Sequence, residues 1–311
     1  MQRKIWINGD YINWEDAQVH ILSHSHQRGS LIFGFIPIFE NDGVISLFRL
    51  NDHVERLFTS CQTAGIPLEY SSQDIQMAIK DTVRKNPGSK FVKISVYIAS
   101  IEIDVVPQDP FSTVAIAAYE PLEDIASKNT QPFHSSKELS VWLEKEKHQR
   151  RHDIIPPQVK IAGNYTSSMM AKWQARKNGY DEIILTDEEG YITEAPTSNV
   201  FIVNKDGCLL TAPEGEVLYG ITRLSILEIA SDEGIEVKTE KIPIYELENA
   251  KEVFLTSSSH IVCPVIKIDN KPINDGNLGV LTNRLKERFL KISKGQDNFF
   301  SSWFIFSNIS I

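Results

Sequence analysis

Lys160 stands in an apolar run, Val159-Lys160-Ile161-Ala162-Gly163-Asn164-Tyr165. Burying an ammonium ion is costly, so a lysine in such a setting is either paired, or neutral and reactive. The neutral amine is the form that Schiff-base chemistry needs. Taken alone, a strand-end lysine is more often a stem packed on apolar surface with its charge in water. Glu194, in Tyr191-Ile192-Thr193-Glu194-Ala195-Pro196-Thr197-Ser198-Asn199, is a carboxylate candidate, although Glu188-Glu189-Gly190 just before it also suits a surface turn. Arg56 falls on an expected helix. A guanidinium fork there suits a phosphate, or pairs with Asp52 one turn earlier. Gly220-Ile221-Thr222-Arg223 opens another expected helix, whose free N-terminal amides favour an anion. Serines 257–259 are ordinary loop residues by themselves.

The elements that must position these groups are legible from periodicity and turn residues. Lys4 to Ile7 and Tyr11 to Trp14 read as strands around the turn Asn8-Gly9-Asp10. Leu31 to Phe39 is nearly all apolar and predicts a buried strand, followed by the turn Asn41-Asp42-Gly43. Asn51 or Asp52 is expected to cap a helix with Val54, Leu57, Phe58 and Cys61 on one face, ended by Gly65. Ser71 or Ser72 caps a second helix. Strands follow at Phe91 to Ala99 and Thr113 to Tyr119. Residues 121–137 lose periodicity and gain proline, serine and charge, which marks a linker. The domain expectation is therefore 1–120, a linker at 121–137, and 138–311 carrying Lys160. Within the second part, helices are expected at about 167–178, 222–233 and 278–291. The whole reads as mixed α+β with mainly antiparallel strands.

Composition narrows the class. The chain has 311 residues, 41 % hydrophobic and 23 % charged, enough for two modest domains with proper cores. A net charge of −9 argues against nucleic acid or an anionic membrane as the main partner. Cys61, Cys208 and Cys263 are few and widely spaced, form no metal-ligand pattern, and suit a reducing, cytoplasmic compartment. The N-terminus has no apolar signal-like region, and no run is long enough to span a bilayer. The apolar tail 299–311 is expected to form a terminal strand or a packed arm.

Four motifs in order, "VKIAGNY", "YITEAPTSNVFIV", "LYGITR" and "EVFLTSSSHIVCPV", resemble the class IV aminotransferases. These are pyridoxal-phosphate enzymes of fold type IV, the D-amino acid aminotransferase-like fold, and the branched-chain members are the most similar. The resemblance implies two domains and a homodimer with small-molecule amino acid and 2-oxo acid substrates. It gives Lys160 the covalent bond to pyridoxal 5'-phosphate and the later proton transfer. It sets Glu194 against the pyridine nitrogen, Tyr165 against the ring hydroxyl oxygen and Leu218 on the ring face. Arg56, the amides of Ile221 and Thr222, and Ser258 are implied as phosphate ligands.

The chain departs from the family at one segment. Relatives usually carry Tyr-Gly-Asp-Gly-Val-Phe-Glu-Gly-Ile-Arg where residues 28–37 read Arg-Gly-Ser-Leu-Ile-Phe-Gly-Phe-Ile-Pro. A usual Tyr-Ile-Arg becomes Phe91-Val92-Lys93. Arg28 and Lys93 are therefore expected to hold a substrate carboxylate beside the apolar Phe33. A lyase similar to aminodeoxychorismate lyase, and a cofactor-binding homologue without turnover, are the competing expectations. His24 and His26 are expected to be structural, because the implied mechanism already has its base.

Overall fold

The computed structural model describes residues 2–41, 43–109, 111–126, 138–146, 153–297 and 299–307. The chain divides into two compact units. One comprises Met1–Phe133, Val159–Gly163 and Ser293–Ile311, and the other His134–Gln158 and Asn164–Ile292.

The first unit begins with β1 (Lys4–Ile7), β2 (Asp10–Asn13), α1 (His24–Arg28), β3 (Leu31–Asn41) and β4 (Val44–Phe48). It continues with α2 (Leu50–Ala64), α3 (Ser72–Lys85), β5 (Phe91–Tyr97), β6 (Thr113–Tyr119) and α4 (Pro121–Asp124). Strand alternation gives the sheet two different faces. Ile32, Ile36, Val92, Ile94, Val96, Val114 and Ile116 point into the core, while Phe33, Phe35 and Ser95 are half-buried and Lys93 is exposed. The helices α2 and α3 pack on β3 and β6 and supply Val54, Leu57, Ile75 and Ile79 to that core.

The cap of α2 differs from expectation. Neither Asn51 nor Asp52 caps it. The N-cap is Arg49, in the left-handed region at φ 45° and ψ 45°, where a side chain is normally strained. Among the contacts that hold it, its amide donates to the Trp303 carbonyl at 2.6 Å, its guanidinium bonds Asp52 at 2.8 Å, and the same group lies 5.0 Å from the Trp303 ring. At α3 the cap is Ser71, in a reciprocal capping box with Asp74.

The second unit contains β7 (Leu139–Glu144), α5 (Thr166–Lys177), β8 (Glu182–Leu185), β9 (Tyr191–Ile192), β10 (Glu194–Ala195), β11 (Ser198–Val203) and β12 (Leu209–Thr211). Next come α6 (Ile221–Asp232), β13 (Val237–Thr239), β14 (Ile242–Pro243), α7 (Ile244–Glu248), β15 (Glu252–Ser257), β16 (Ile261–Ile268), β17 (Lys271–Pro272) and α8 (Val280–Ser293). The main path of its large sheet is β13-β12-β11-β15-β16-β7-β8. Most pairs are antiparallel; β12–β13, β16–β7 and β7–β8 are parallel. Successive residues of β11 are buried on both faces, so it is a central strand, with Val200 and Ile202 in the main core cluster.

The tail returns to the first unit as β18 (Phe304–Ser307), paired antiparallel with β4 at the edge of the sheet β18-β4-β3-β5-β6-β1-β2. Phe300, Trp303 and Phe304 are buried there; residues 308–311 lie outside the described residues. A single cut in the sequence does not give this grouping. The tail joins the first unit through β18. Val159–Gly163 join it because Ile161 bridges to Ile32 and the Phe33 amide donates to the Lys160 carbonyl at 3.1 Å. Of the expected linker, residues 121–124 form α4, and residues 127–137 lie outside the described residues. So do Asp42 of the expected turn and residues 147–152.

Candidate active site

In the first unit the backbone of Lys160 is fixed on both sides. Its amide donates to the Ser60 hydroxyl at 3.2 Å, and its carbonyl accepts from Phe33 at 3.1 Å. Gly29, which ends α1 at φ 72°, lies so close to Gly163 that a Cβ would be 3.3 Å from the Gly163 Cα. A side chain there would be strained and would press on the lysine segment. The Lys160 ammonium lies 4.8 Å from the Phe33 ring centroid, and the Lys93 ammonium lies 5.3 Å from the same ring. Beside them Phe35 stacks on Phe91 at 4.6 Å.

Helix α2 contributes three polar groups at His53, Arg56 and Ser60. Spacings of three and four put them along one face. Arg56 Nη2 is 3.5 Å from His53 Nδ1. His53 is buried, and burial together with the charges of Arg56, Lys160 and Arg49 holds its pKa well below the ordinary value. Its Nε2 has no hydrogen-bond partner among the described residues. Arg28 is exposed; it donates to the Ile103 carbonyl at 2.8 Å and to Gln27 at 3.3 Å. His24 uses both ring nitrogens, with Ser30 at 2.7 Å and the Val105 carbonyl at 2.8 Å.

In the second unit Glu194 is 2 % exposed. A buried carboxylate needs donors, and Oε2 accepts from the Leu218 amide at 3.1 Å and from Asn199 Nδ2 at 3.3 Å. Asn199 faces Glu194 across the β10–β11 hairpin, and its Nδ2 also donates to the Leu218 carbonyl at 2.9 Å. Gly220 follows. A Cβ on it would strike the Asn199 side chain, so this close approach requires glycine. Gly220 is also the N-cap of α6 and brings no side-chain cap, which leaves the first-turn amides of Ile221 and Thr222 available to an anion. Leu218 is buried.

Two buried hydroxyls in this unit, Thr222 Oγ1 and Thr256 Oγ1, have no hydrogen-bond partner among the described residues. Thr256 pairs with Asn199 between β15 and β11. Ser258 sits in the three-residue loop joining β15 to β16, closed by the Ser257–Ile261 pair. Ile261 adopts φ 59°, a conformation rare for a β-branched side chain and a local store of strain of the kind found at functional sites. Tyr165 is half-buried at the start of α5. Arg223 is buried and donates to the Ala212 carbonyl at 2.9 Å; burial lowers its pKa, against the raising influence of Glu214, Tyr219 and Glu194.

Within the second unit, open helix amides, orphaned buried hydroxyls and a pinned carboxylate fit a phosphate-bearing cofactor; the first unit presents the Arg56 guanidinium on α2. The described residues contain no group of three or more His, Cys, Asp or Glu able to hold a metal ion, and no helix long and apolar enough to cross a membrane. His53, Ser60 and Thr256 escape a motif-based search. For the first two, the spacing His53-x-x-Arg56-x-x-x-Ser60 was the available signal.

A family model described as amino-transferase class IV matches residues 36–268. The chain belongs to the class IV aminotransferases. Members of this class are pyridoxal-phosphate enzymes, and the family carries aminotransferase chemistry to this chain. The chain is similar to the branched-chain-amino-acid aminotransferase of Escherichia coli (strain K12), 31 % identical over 294 residues, covering 94 % of this chain and 93 % of that protein. Among solved structures it is similar to the branched-chain aminotransferase of the thermophilic archaeon Thermoproteus uzoniensis with norvaline, with a TM-score of 0.88 and 30 % identity over 98 % and 99 % of the two chains. It is also similar to the branched-chain amino acid aminotransferase of Thermobaculum terrenum in its PLP-form, with a TM-score of 0.85 and 26 % identity over 100 % and 99 % of the two chains. The class IV aminotransferase fold, fold type IV, is thus the fold of this chain.

Proposed function

We propose that this aminotransferase moves an amino group between a branched-chain-like or other apolar amino acid and a 2-oxo acid, with pyridoxal 5'-phosphate as its cofactor. The observation that carries this is the hold on Glu194. A buried carboxylate fixed by the Leu218 amide and Asn199 is suited to keeping a ring nitrogen protonated. When bound, the cofactor supplies a ring that accepts the electrons left on the substrate α-carbon. The remaining work falls to the protein. Lys160 would hold the cofactor, and its amine would move the proton on and off the substrate α-carbon, which catalyses by proximity. Arg56, the Ile221 and Thr222 amides and Ser258 bind the phosphate. Tyr165 hydrogen-bonds the ring hydroxyl oxygen, and Leu218 packs on the ring.

Arg28, Phe33 and Lys93 line the substrate side in this proposal, the two cations taking a carboxylate and Phe33 the apolar chain. We also infer a homodimer. Val19, Ile21 and Leu22, with Ile101, Ile103, Val105, Val106 and Phe111, are exposed in the first unit, and a protein that works alone in water rarely leaves such a set uncovered. The buried free thiols of Cys61, Cys208 and Cys263 suit a cytoplasmic location.

The test incubates purified protein and cofactor with leucine, isoleucine or valine and 2-oxoglutarate. Stoichiometric branched 2-oxo acid and glutamate are the expected products. Cofactor binding with no keto acid from any amino donor would contradict the proposal.

A further inference from the structure

We propose that His53 is a positioning residue that holds the Arg56 guanidinium in place for a phosphate group without cancelling its charge. The inference rests on Arg56 being a ligand of the cofactor phosphate, as proposed above.

Arg56 Nη2 lies 3.5 Å from His53 Nδ1. A guanidinium has only donors, so Nδ1 must accept, and the ring hydrogen belongs on Nε2. The imidazole is buried and shares its surroundings with Arg56, Lys160 and Arg49. Burial and those three cations keep it neutral, as an acceptor for Arg56 requires.

His24 provides the contrast. A histidine used to tie loops together employs both nitrogens, as His24 does with Ser30 and Val105. Among the described residues His53 has no partner at Nε2. Its hydrogen bond is made through Nδ1, toward the arginine.

The choice of side chain also has a physical reason. A carboxylate at this place would form a charged pair with Arg56 and compete directly with the phosphate. An apolar residue would remove the acceptor that the guanidinium meets on this side. A neutral imidazole orients the fork and adds no opposing charge to it.

The experiment compares two probes on the full-length protein after release of its cofactor: pyridoxal 5'-phosphate and pyridoxal, which lacks the phosphate. Both are followed by absorbance titration, and the readout is the ratio of the two affinities. Arg56→Gln is the control for the underlying assignment. His53→Leu is expected to lower the ratio about tenfold or more, with pyridoxal affinity changed by no more than about twofold. His53→Asn, whose Oδ1 replaces the Nδ1 acceptor, should restore the ratio. His53→Asp should lower it, because the acceptor is now charged. If Arg56→Gln leaves the ratio unchanged, Arg56 is not the phosphate ligand. If Arg56→Gln lowers the ratio while folded His53→Leu and His53→Asp do not, positioning by His53 is overturned and the Arg56 assignment stands. Should His53→Leu fail to fold, equal ratios for the Asn and Asp variants overturn it.

Discussion

The backbone amide of Lys160 donates to the Ser60 hydroxyl at 3.2 Å. The lysine segment is thereby tied to the helix that carries Arg56 one turn earlier. Four helical residues rise about 6 Å along the axis, so a rigid element sets the spacing between the proposed covalent anchor and the proposed phosphate ligand. A hydrogen bond of this kind contributes only about 1 kcal/mol. Its larger effect is geometric, because misplacing a reacting group by an ångström costs far more in rate.

Glu194→Gln separates charge from structure. Glutamine keeps an oxygen for the Leu218 amide and Asn199 Nδ2, so the hairpin and the start of α6 should remain folded. Only the negative charge is lost. Transamination should fall by about 10²–10⁴-fold with the melting temperature nearly unchanged. A variant that keeps wild-type turnover would show that Glu194 has no role at the cofactor ring.

Lys93→Gln and Arg28→Gln should differ. The Lys93 and Lys160 ammonium groups both lie within reach of the Phe33 ring, at 5.3 and 4.8 Å from its centroid, whereas Arg28 is already bonded to the Ile103 carbonyl and Gln27. Removing a charged hydrogen bond to substrate costs roughly 1.5–3 kcal/mol. Lys93→Gln should therefore lower kcat/KM by about ten- to a hundredfold and leave cofactor binding intact. Arg28→Gln should have the smaller effect. Wild-type kinetics for both variants with every accepted donor would place the carboxylate elsewhere, with the backbone around Ser258 the next candidate.

Much of the fold was legible because the chain punctuates itself. The apolar run at 31–39 is the inner strand of its sheet, and Ser71 caps its helix as a serine before an acidic third residue should. The cap of α2 was not legible. The local Asp52 contact does not by itself mark Arg49 for the left-handed region; Trp303, distant in the sequence, holds it there through its carbonyl and its ring. The grouping of Val159–Gly163 with the first unit was hidden for the same reason, since it depends on the pairing of Ile161 with Ile32. Motif order singles out Lys160, Glu194 and the α6 start as candidates. The partners that fix them, Ser60 for the lysine and Gly220 against Asn199, follow from packing that no motif spells out.

His53 should make stability depend on acid. Burial and the neighbouring Arg56, Lys160 and Arg49 depress its folded pKa well below the ordinary 6.5, so the folded protein holds the ring neutral. Below about pH 6.5 the unfolded chain takes up a proton that the native one refuses, so stability falls as pH falls. The contribution is fully present above about pH 6.5 and is lost as pH drops toward the folded value. The slope from this one group is at most about 1.4 kcal/mol per pH unit. Urea unfolding of wild type and His53→Asn, followed from about pH 7.5 down to about pH 5, should show a steeper acid loss for wild type. Parallel curves would mean that the ring titrates normally in the folded protein.

The assignment of Lys160 as the covalent anchor is open to direct chemical trapping. The holoenzyme is reduced with borohydride, digested, and mapped by mass spectrometry. The pyridoxyl group should be found on the peptide containing Val159-Lys160-Ile161, and Lys160→Ala should lose both the trapped group and transamination. Recovery of the group on any other lysine, or an active Lys160→Ala variant, would contradict it.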